Sequence, residues 1–308
     1  MEQRLLVLLA ESPVHAGAAA AEAALDSPIQ RDTATGLPVI WGQSLKGALR
    51  DAARGQDWEQ QVFGSRPPGS NGAAETDPAR PRDGGSELTP GQVSFGDAQL
   101  VAFPAATLQR TFAWTTSRLL LNRLRRKASL LGADIGAALD PIGGTGALGR
   151  TPWRGRQVVG PYLDEVTVDE AVGAVGAFLA ALACPVGPDF DYTRTKLAQD
   201  LLVISDDAFT DLTRLGTDVV ARVQLNDDKT VRHGPFHVEY LPVETVLATV
   251  LSSGREGPLQ QVQEFFDGRA LQLGGDESIG KGLVWCRVLD RDTTRAAATS
   301  ASAEVVGA

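Results

Sequence analysis

The chain is short of four things, and each shortage closes a route. It has only two cysteines, Cys184 and Cys286, far apart in its 308 residues. Neither sits in a metal-ligand spacing and no disulfide framework can be built, which fits a reducing cytoplasm. It has no secretory leader: MEQRLLVLLAESP places an acid at Glu2, and its apolar run is too short to cross a bilayer, so it reads as a first buried strand and no membrane partner is expected. It is poor in positive charge, with 29 Lys and Arg against 38 Asp and Glu and a formal net charge of −9. An acidic balance removes long-range attraction for polyanions, although binding itself depends on local patches. Finally, the stretch GGDESIGKGL, beginning at Gly274, lacks the hydroxyl residue that follows Gly-Lys in the phosphate loops of nucleotide hydrolases.

What is present is an ordinary globular composition, 43% hydrophobic and 22% charged. The length suits one elaborated domain or two compact ones. Residues 4–11 pattern as a core strand. IQRDTATGLPVI reads as two extended pieces around a Gly-Leu-Pro turn, and Ser44 stands where a helix N-cap belongs, before LKGALRDAAR. Gly64 to Gly91 is rich in Pro, Gly and small polar residues; it cannot bury apolar surface and is expected to be an extended or disordered insertion. The chain resumes as a strand at VSFGDAQLVAF. Residues 116–131 form a helix carrying Arg118, Arg123, Arg125, Arg126 and Lys127 with no acid between them, a cluster whose default reading is a solvated face.

Residues 132–160 are glycine-rich and read as irregular. Beyond them strands and helices alternate: a strand over 162–168, a helix over 169–183 and a strand over 201–205. DDAFTDLTRL is a helix capped by Asp206, and VVARVQL turns at NDDKT into a returning strand. A strand over 243–251 and a helix over 259–266 follow. The last unit is strand, glycine loop, strand, and the Ala/Thr/Ser-rich residues 290–308 read as a disordered tail. This order gives an α+β fold with antiparallel sheets and helices on one side, as a single domain over 1–289 with a flexible insertion at 64–92.

The glycine loop cannot be the phosphate loop of an ATPase on this pattern. Such a loop is followed by a helix whose N-terminus faces the phosphates, whereas LVWCRVL is a strand pattern, so no nucleotide cofactor is expected. Two readings remain level on local sequence: N–H groups of small residues converging on an anion with Lys281 adding charge, or a turn with a glycine bulge.

Several segments together resemble one family. GLPVIWGQSLKGALRDAAR contains a G-x-S-x-K-G-x-[LI]-R pattern, and the terminal glycine loop follows G-G-x-x-[ST]-x-G-K-G. The pair is similar to the RAMP superfamily of CRISPR RNA-binding proteins. PVHAGAAAAEAALDSPIQRDTATGLPVI, LLVISDDAFTDL and VVARVQLNDDKTVRHGPFHVEYLPVET resemble, in order, the repeated backbone subunit of type III-B (Cmr) effector complexes. The similarity spans residues 4 to 288. It implies an RRM-like, ferredoxin-type RAMP core with a protruding β-hairpin thumb, near whose expected position the 64–92 insertion lies. It also implies copies stacked on a guide CRISPR RNA beside other Cmr subunits, and cleavage of single-stranded target RNA at regular intervals. The same fold without cutting, as an assembly subunit, and the equivalent type III-A subunit are the alternatives.

The resemblance assigns roles. Ser44, Lys46 and Arg50 would seat phosphates, the last two four residues apart on one helix face. Gly274, Gly275, Ser278, Gly280, Lys281 and Gly282 would form a second seat. Asp26, in LDSP, falls where the family places its essential aspartate; read alone, an Asp before Ser-Pro is a turn residue. Since a lone carboxylate is a weak base at neutral pH, Asp26 is expected to coordinate a divalent ion, Mg or Mn, or to position the RNA. His15 is a candidate proton shuttle. Glu239 and Tyr240 belong to the EYLP stretch, where relatives commonly carry a second acid before the Glu and this chain has Val238.

Overall fold

The computed structural model describes residues 1–18, 25–65, 88–139 and 146–306. Strand β1 (Glu2–Ala10) and β2 (Val39–Ile40) precede helices α1 (Gly42–Ala52) and α2 (Glu59–Phe63). β3 (Val93–Phe95), β4 (Ala98–Ala106) and β5 (Phe112–Ser117) lead to α3 (Arg118–Leu130) and α4 (Gly136–Leu139). β6 (Ala147–Gly149), β7 (Gly155–Val159) and β8 (Tyr162–Val168) lead to α5 (Ala171–Ala183) and α6 (Asp191–Gln199). Then come β9 (Leu201–Ile204), α7 (Asp206–Leu215), β10 (Asp218–Leu225), β11 (Val231–Tyr240) and β12 (Val246–Ser253). α8 (Pro258–Phe266), β13 (Ala270–Gln272), β14 (Leu283–Leu289) and α9 (Arg291–Val306) complete the order.

One sheet gathers twelve strands of the described residues in the order β13-β14-β1-β12-β4-β5-β9-β6-β8-β7, with β2 on β4 and β3 on β12. It is mostly antiparallel; β5 with β9 and β6 with β8 run parallel. β1 lies between β12 and β14 and explains the layering. Leu6, Leu8 and Ala10 point into one core with residues of α1, α2, α7 and α8; Leu5, Val7 and Leu9 point into a second with residues of α3, α5, α6 and α9. Side chains of a strand alternate between faces, so a strand buried on both must be apolar at every position, as LLVLLA is. Helices therefore cover both faces, not one as expected. Each fully buried leucine here contributes roughly 2 kcal/mol.

Four further expectations are corrected. The supposed tail is helix α9 through Val306: Thr294, Ala298 and Ala301 are buried and pack toward α5. Small residues at helical spacing let two helices approach closely, and composition alone does not register that stripe. Residues 132–160 hold α4, β6 and β7, apart from 140–145, which lie outside the described residues. Ser44 is not the cap of α1. The helix starts at Gly42, whose N–H donates to Asp97 Oδ1 at 2.7 Å, so the cap comes from the β3–β4 connection and Ser44 is inside the first turn. Likewise Ser205, not Asp206, caps α7, its Oγ accepting from the Ala208 N–H at 3.2 Å.

Most of the Pro/Gly-rich insertion, 66–87, lies outside the described residues. Its base is closed: Gly64 bridges Pro90, and the Ser65 N–H donates to the Thr89 carbonyl at 2.9 Å. A different segment leaves the sheet. β10 and β11 form a two-stranded ribbon of their own, from Asp218 opposite Tyr240 to Leu225 opposite Val231. Val219, Val220, Val223, Leu225, Val231 and Phe236 on it are all exposed. No helix of the described residues is long and apolar enough to cross a membrane.

Candidate functional site

The base of the β10–β11 ribbon is where the chain's functional candidates meet, and β11 is the rail they hang from. The 12–17 segment pairs with it through Val14 and Leu241, and the 25–29 segment through Ser27 and Val238. Asp26 and Ser27 both donate their N–H to the His237 carbonyl at 3.1 Å, and the His237 N–H donates back to Asp26 Oδ2 at 2.7 Å. Asp26 is thereby fixed by main chain while its side chain stays half exposed, at 51%. The His237 Nδ1 lies 3.6 Å from the same carboxylate oxygen. His15 Nδ1 lies 2.7 Å from the Glu239 carbonyl. A carbonyl oxygen only accepts, so Nδ1 donates to it, and Nε2 is the ring nitrogen left for another partner.

The two other candidates on β11 face inward. Glu239 is 2% exposed. Its Oε2 accepts from the Ile29 N–H at 3.0 Å; its Oε1 accepts from Arg31 Nη2 at 2.5 Å and Thr217 Oγ1 at 2.8 Å. Both oxygens are spent, on Thr217 and on Ile29 and Arg31, which hold the segment that follows Asp26 against the ribbon. Tyr240 is 1% exposed and its hydroxyl donates to Asp276 Oδ2 at 2.7 Å, while Arg222 Nη1 donates to Asp276 Oδ1 at 2.7 Å. Burial and the Asp276 carboxylate push the Tyr240 phenol above its usual range, so it stays protonated. On the Asp276 carboxyl burial works upward, but the hydrogen bonds from Tyr240 and Arg222 outweigh it and hold the group below the usual carboxylate range. The Tyr240 ring supports two neighbours, the His15 ring edge-on at 5.6 Å and the Lys281 ammonium 5.1 Å from its centroid.

The glycine loop is built against this cluster. Gly275 donates its N–H to the His15 carbonyl at 3.0 Å and Gly282 to the Pro13 carbonyl at 2.9 Å. A Cβ at Gly274 would stand 2.4 Å from the His15 oxygen, and one at Gly282 would stand 2.3 Å from the Leu273 oxygen; both residues have positive φ. Only glycine permits that approach. Ile279, Gly280 and Lys281 donate to carbonyls within the loop, so its N–H groups are largely turned inward. Ser278 and Gly280 are exposed at its tip, and β14, a strand, follows it. The loop is thus first a buttress for His15 and Tyr240, with Lys281 as its cation.

Across a cleft of about 400 Å³ the loop faces α1: Ser44, Gly47 and Asp51 line one side, Gln272, Gly274 and Glu277 the other. One residue of each predicted phosphate seat, Ser44 and Gly274, lines this groove; Lys46, Arg50 and Lys281 do not, and its charged lining, Asp51 and Glu277, is acidic. The parts of the seats are unequal. Lys46 is half-buried and makes no ion pair with a described residue. Arg50 is committed, donating to the Gly64 carbonyl at 2.6 Å and to Glu59 Oε1 at 3.4 Å, where it ties α1 to α2 and the base of the insertion. The Asp97 carboxylate occupies the N-terminus of α1, so the helix dipole expected to draw a phosphate there is already neutralised.

Sequence reasoning missed His237, Asp276 and Arg222. A histidine and an arginine inside otherwise apolar, alternating strands were the available signals. As for a metal, the described residues contain no group of three His, Cys, Asp or Glu side chains placed to hold one. Asp26 offers one half-exposed carboxylate with His237 beside it, a donor set that suits a hydrated ion sharing its coordination with a substrate phosphate.

The chain is similar to known proteins along most of its length. The model of the RAMP superfamily matches residues 7–285. The CRISPR system Cmr endoribonuclease Cmr4 of Pyrococcus furiosus is 29% identical over 298 residues, covering 92% of this chain and 95% of that protein. The crystal structure of oligomeric Cmr4 from Pyrococcus furiosus is similar with a TM-score of 0.69 at 25% identity, covering 94% of this chain and 98% of that one. A chain of the cryo-EM structure of type III-B Cmr-beta bound to cognate target RNA shares the fold, with a TM-score of 0.70 at 19% identity over 95% of this chain and 99% of that one.

Proposed function

The chain belongs to the RAMP superfamily, and from that premise and the site on β11 we propose that it is a guide-RNA-binding backbone subunit of a type III-B CRISPR interference complex that cleaves complementary target RNA. Its partners are the guide RNA, the target strand, further copies of itself and other Cmr subunits. The observation that carries the cleavage assignment is the half-exposed Asp26 carboxylate, locked to the main chain of β11 at the foot of a projecting ribbon. We assign the thumb to that β10–β11 ribbon, whose exposed apolar side chains suit insertion between stacked bases. The 64–92 insertion is closed off at its base instead.

The chemistry is transesterification. The target 2′-hydroxyl attacks the adjacent phosphorus, the P–O5′ bond breaks, and a 2′,3′-cyclic phosphate and a 5′-hydroxyl form. One proton leaves the nucleophile and one reaches the departing O5′. The chain's task is in-line positioning and proton handling. Asp26 orients the attacking ribose or its phosphate. His15, its Nδ1 held by the Glu239 carbonyl, presents Nε2 as the atom for proton transfer. Tyr240 and Glu239 are positioning residues, the first under His15 and the second under the 27–31 segment. Asp26 is also where a divalent ion, Mg or Mn, would bind between protein and RNA, supplying positive charge against the charge that builds at phosphorus. Lys46 on α1 and Lys281 on the glycine loop hold phosphates.

The test is a target carrying deoxyribose only at the scissile positions, offered to the assembled guide-loaded complex. It should bind as the all-ribose strand does and resist cutting; chelation of divalent ions should stop cutting of the ribose strand. If the deoxy target is cut, water is the nucleophile and the transesterification assignment fails.

A further inference from the structure

Helix α3 carries positive charge that the site above does not use. Arg123, Arg126 and Lys127 stand three and four residues apart, on adjoining positions of one side of the helix. Arg126 is exposed. Arg123 Nη2 reaches Asp32 Oδ2 only at 4.0 Å, and Lys127 Nζ donates to a neutral acceptor, Gln99 Oε1, at 2.5 Å. Burial, and then Arg123 and Arg126, push the Lys127 ammonium down to about 8. Lys127 is thus half-buried, and the exposed Arg126 beside Arg123 is what this face offers to an anion in a chain of net charge −9.

This face also lies on a route to the site. Asp32 opens a turn in which it accepts from the Ala34 and Thr35 N–H groups, and Gly36 donates back to its carbonyl. The Arg214 guanidinium lies over Gly36, and Arg31 donates to the Gly36 carbonyl at 3.1 Å on its way to Glu239. From α3, across this turn, toward the foot of the ribbon runs a strip of three arginines, Arg126, Arg123 and Arg214, with Asp32 4.0 Å from Arg123 and Asp211 3.9 Å from Arg214.

We propose that this strip is a second phosphate-binding track, separate from Lys46 on α1 and Lys281 on the glycine loop, and that it holds the backbone of an RNA strand passing the Asp26 site. The proposal rests on the RNA-binding reading above and adds a surface to it. Phosphates of the guide and of the target are the same ligand chemically, and two arms of the experiment tell them apart.

Arg126→Ala and Arg126→Glu are prepared with Lys281→Ala as the control for the glycine loop. Affinity is measured from about 50 to about 200 mM salt, first for guide RNA on the guide-free chain, then for target strand on the guide-loaded complex. A lost phosphate contact lowers the salt slope by about 0.7 to 0.9. Arg126→Ala should do this in one arm, which names the strand, and Arg126→Glu should weaken the same arm at least tenfold at low salt. Unchanged slopes in both arms would overturn the proposal. So would intact RNA binding accompanied by failure of copies to assemble, since the strip would then be a protein interface. If Lys281→Ala weakens binding while Arg126→Glu does not, the RNA-binding function stands and the second track falls; if the unaltered chain binds neither strand, the functional reading itself falls.

Discussion

Replacing Glu239 separates a supporting carboxylate from a reacting one. Both of its oxygens face donors: the Ile29 N–H on one, Arg31 and Thr217 on the other. A glutamine has a single acceptor oxygen. In either orientation its amide N–H₂ meets a donor, and the Arg31 guanidinium, 17% exposed, loses its counter-charge. An unsatisfied buried group costs about 1–3 kcal/mol and breaking a buried ion pair about 3–5. The two overlap here and Arg31 regains some water, so Glu239→Gln should cost about 2–4 kcal/mol, and Glu239→Ala somewhat more. Urea unfolding of the isolated chain should show a lower midpoint with an unchanged slope. Arg31→Met combined with Glu239→Leu should cost less than the sum of the single changes, because neither charge is left alone. Cleavage should fall with the loosening of the Asp26 segment. A Glu239→Gln chain that unfolds at the wild-type midpoint yet no longer cuts would refute the reasoning and put Glu239 in the chemistry.

Gly274→Ala should destabilise the chain by more than about 1 kcal/mol, because its Cβ would press on the His15 carbonyl from a residue with φ of 92°; an unshifted thermal midpoint contradicts the buttress role of the loop. Glu244 is half-buried with its Oε2 shut off from solvent, and burial followed by the nearby Glu11 charge raises its carboxyl to about 7, against a partial pull downward from Lys196. The folded chain therefore holds a proton that the unfolded chain has lost between about pH 4.3 and 7, and stability falls as pH rises through that window. Glu244→Gln removes the titration and should be up to about 3 kcal/mol more stable than wild type at pH 8, with little difference near pH 4; parallel pH profiles would show that Glu244 does not carry this dependence.

Local signals carried far in some places and not in others. The LLVLLA run, the basic helix and the NDDKT turn are short-range patterns, and each formed the element its pattern implies. The glycine loop between two strands was equally plain. Yet its glycines are there to approach the His15 and Leu273 carbonyls, which no spacing rule reveals. The cap of α1 comes from Asp97, 55 residues away from Gly42, and Ser44 was the nearest residue of the right type. α9 hid because alanine, serine and threonine score as a tail when only composition is weighed. In the candidate site, Asp26 was named through its motif, but its hold on the His237 N–H depends on two segments 211 residues apart. Glu239 and Tyr240 were named through the EYLP stretch of the resemblance; that both side chains are buried and committed to neighbours is a tertiary property no motif displays.

The central claim is that Asp26 acts on bound RNA and does not hold it. Asp26→Asn keeps an oxygen for the His237 N–H and alters a half-exposed side chain, so folding and binding of guide and target should stay near wild type. Single-turnover cutting of a complementary target by the assembled complex should fall by about 10²–10⁴-fold at every cleavage position together, since each copy carries the same change. Cutting at the wild-type rate by a complex built wholly from the Asp26→Asn chain would contradict the account and leave Asp26 a turn residue.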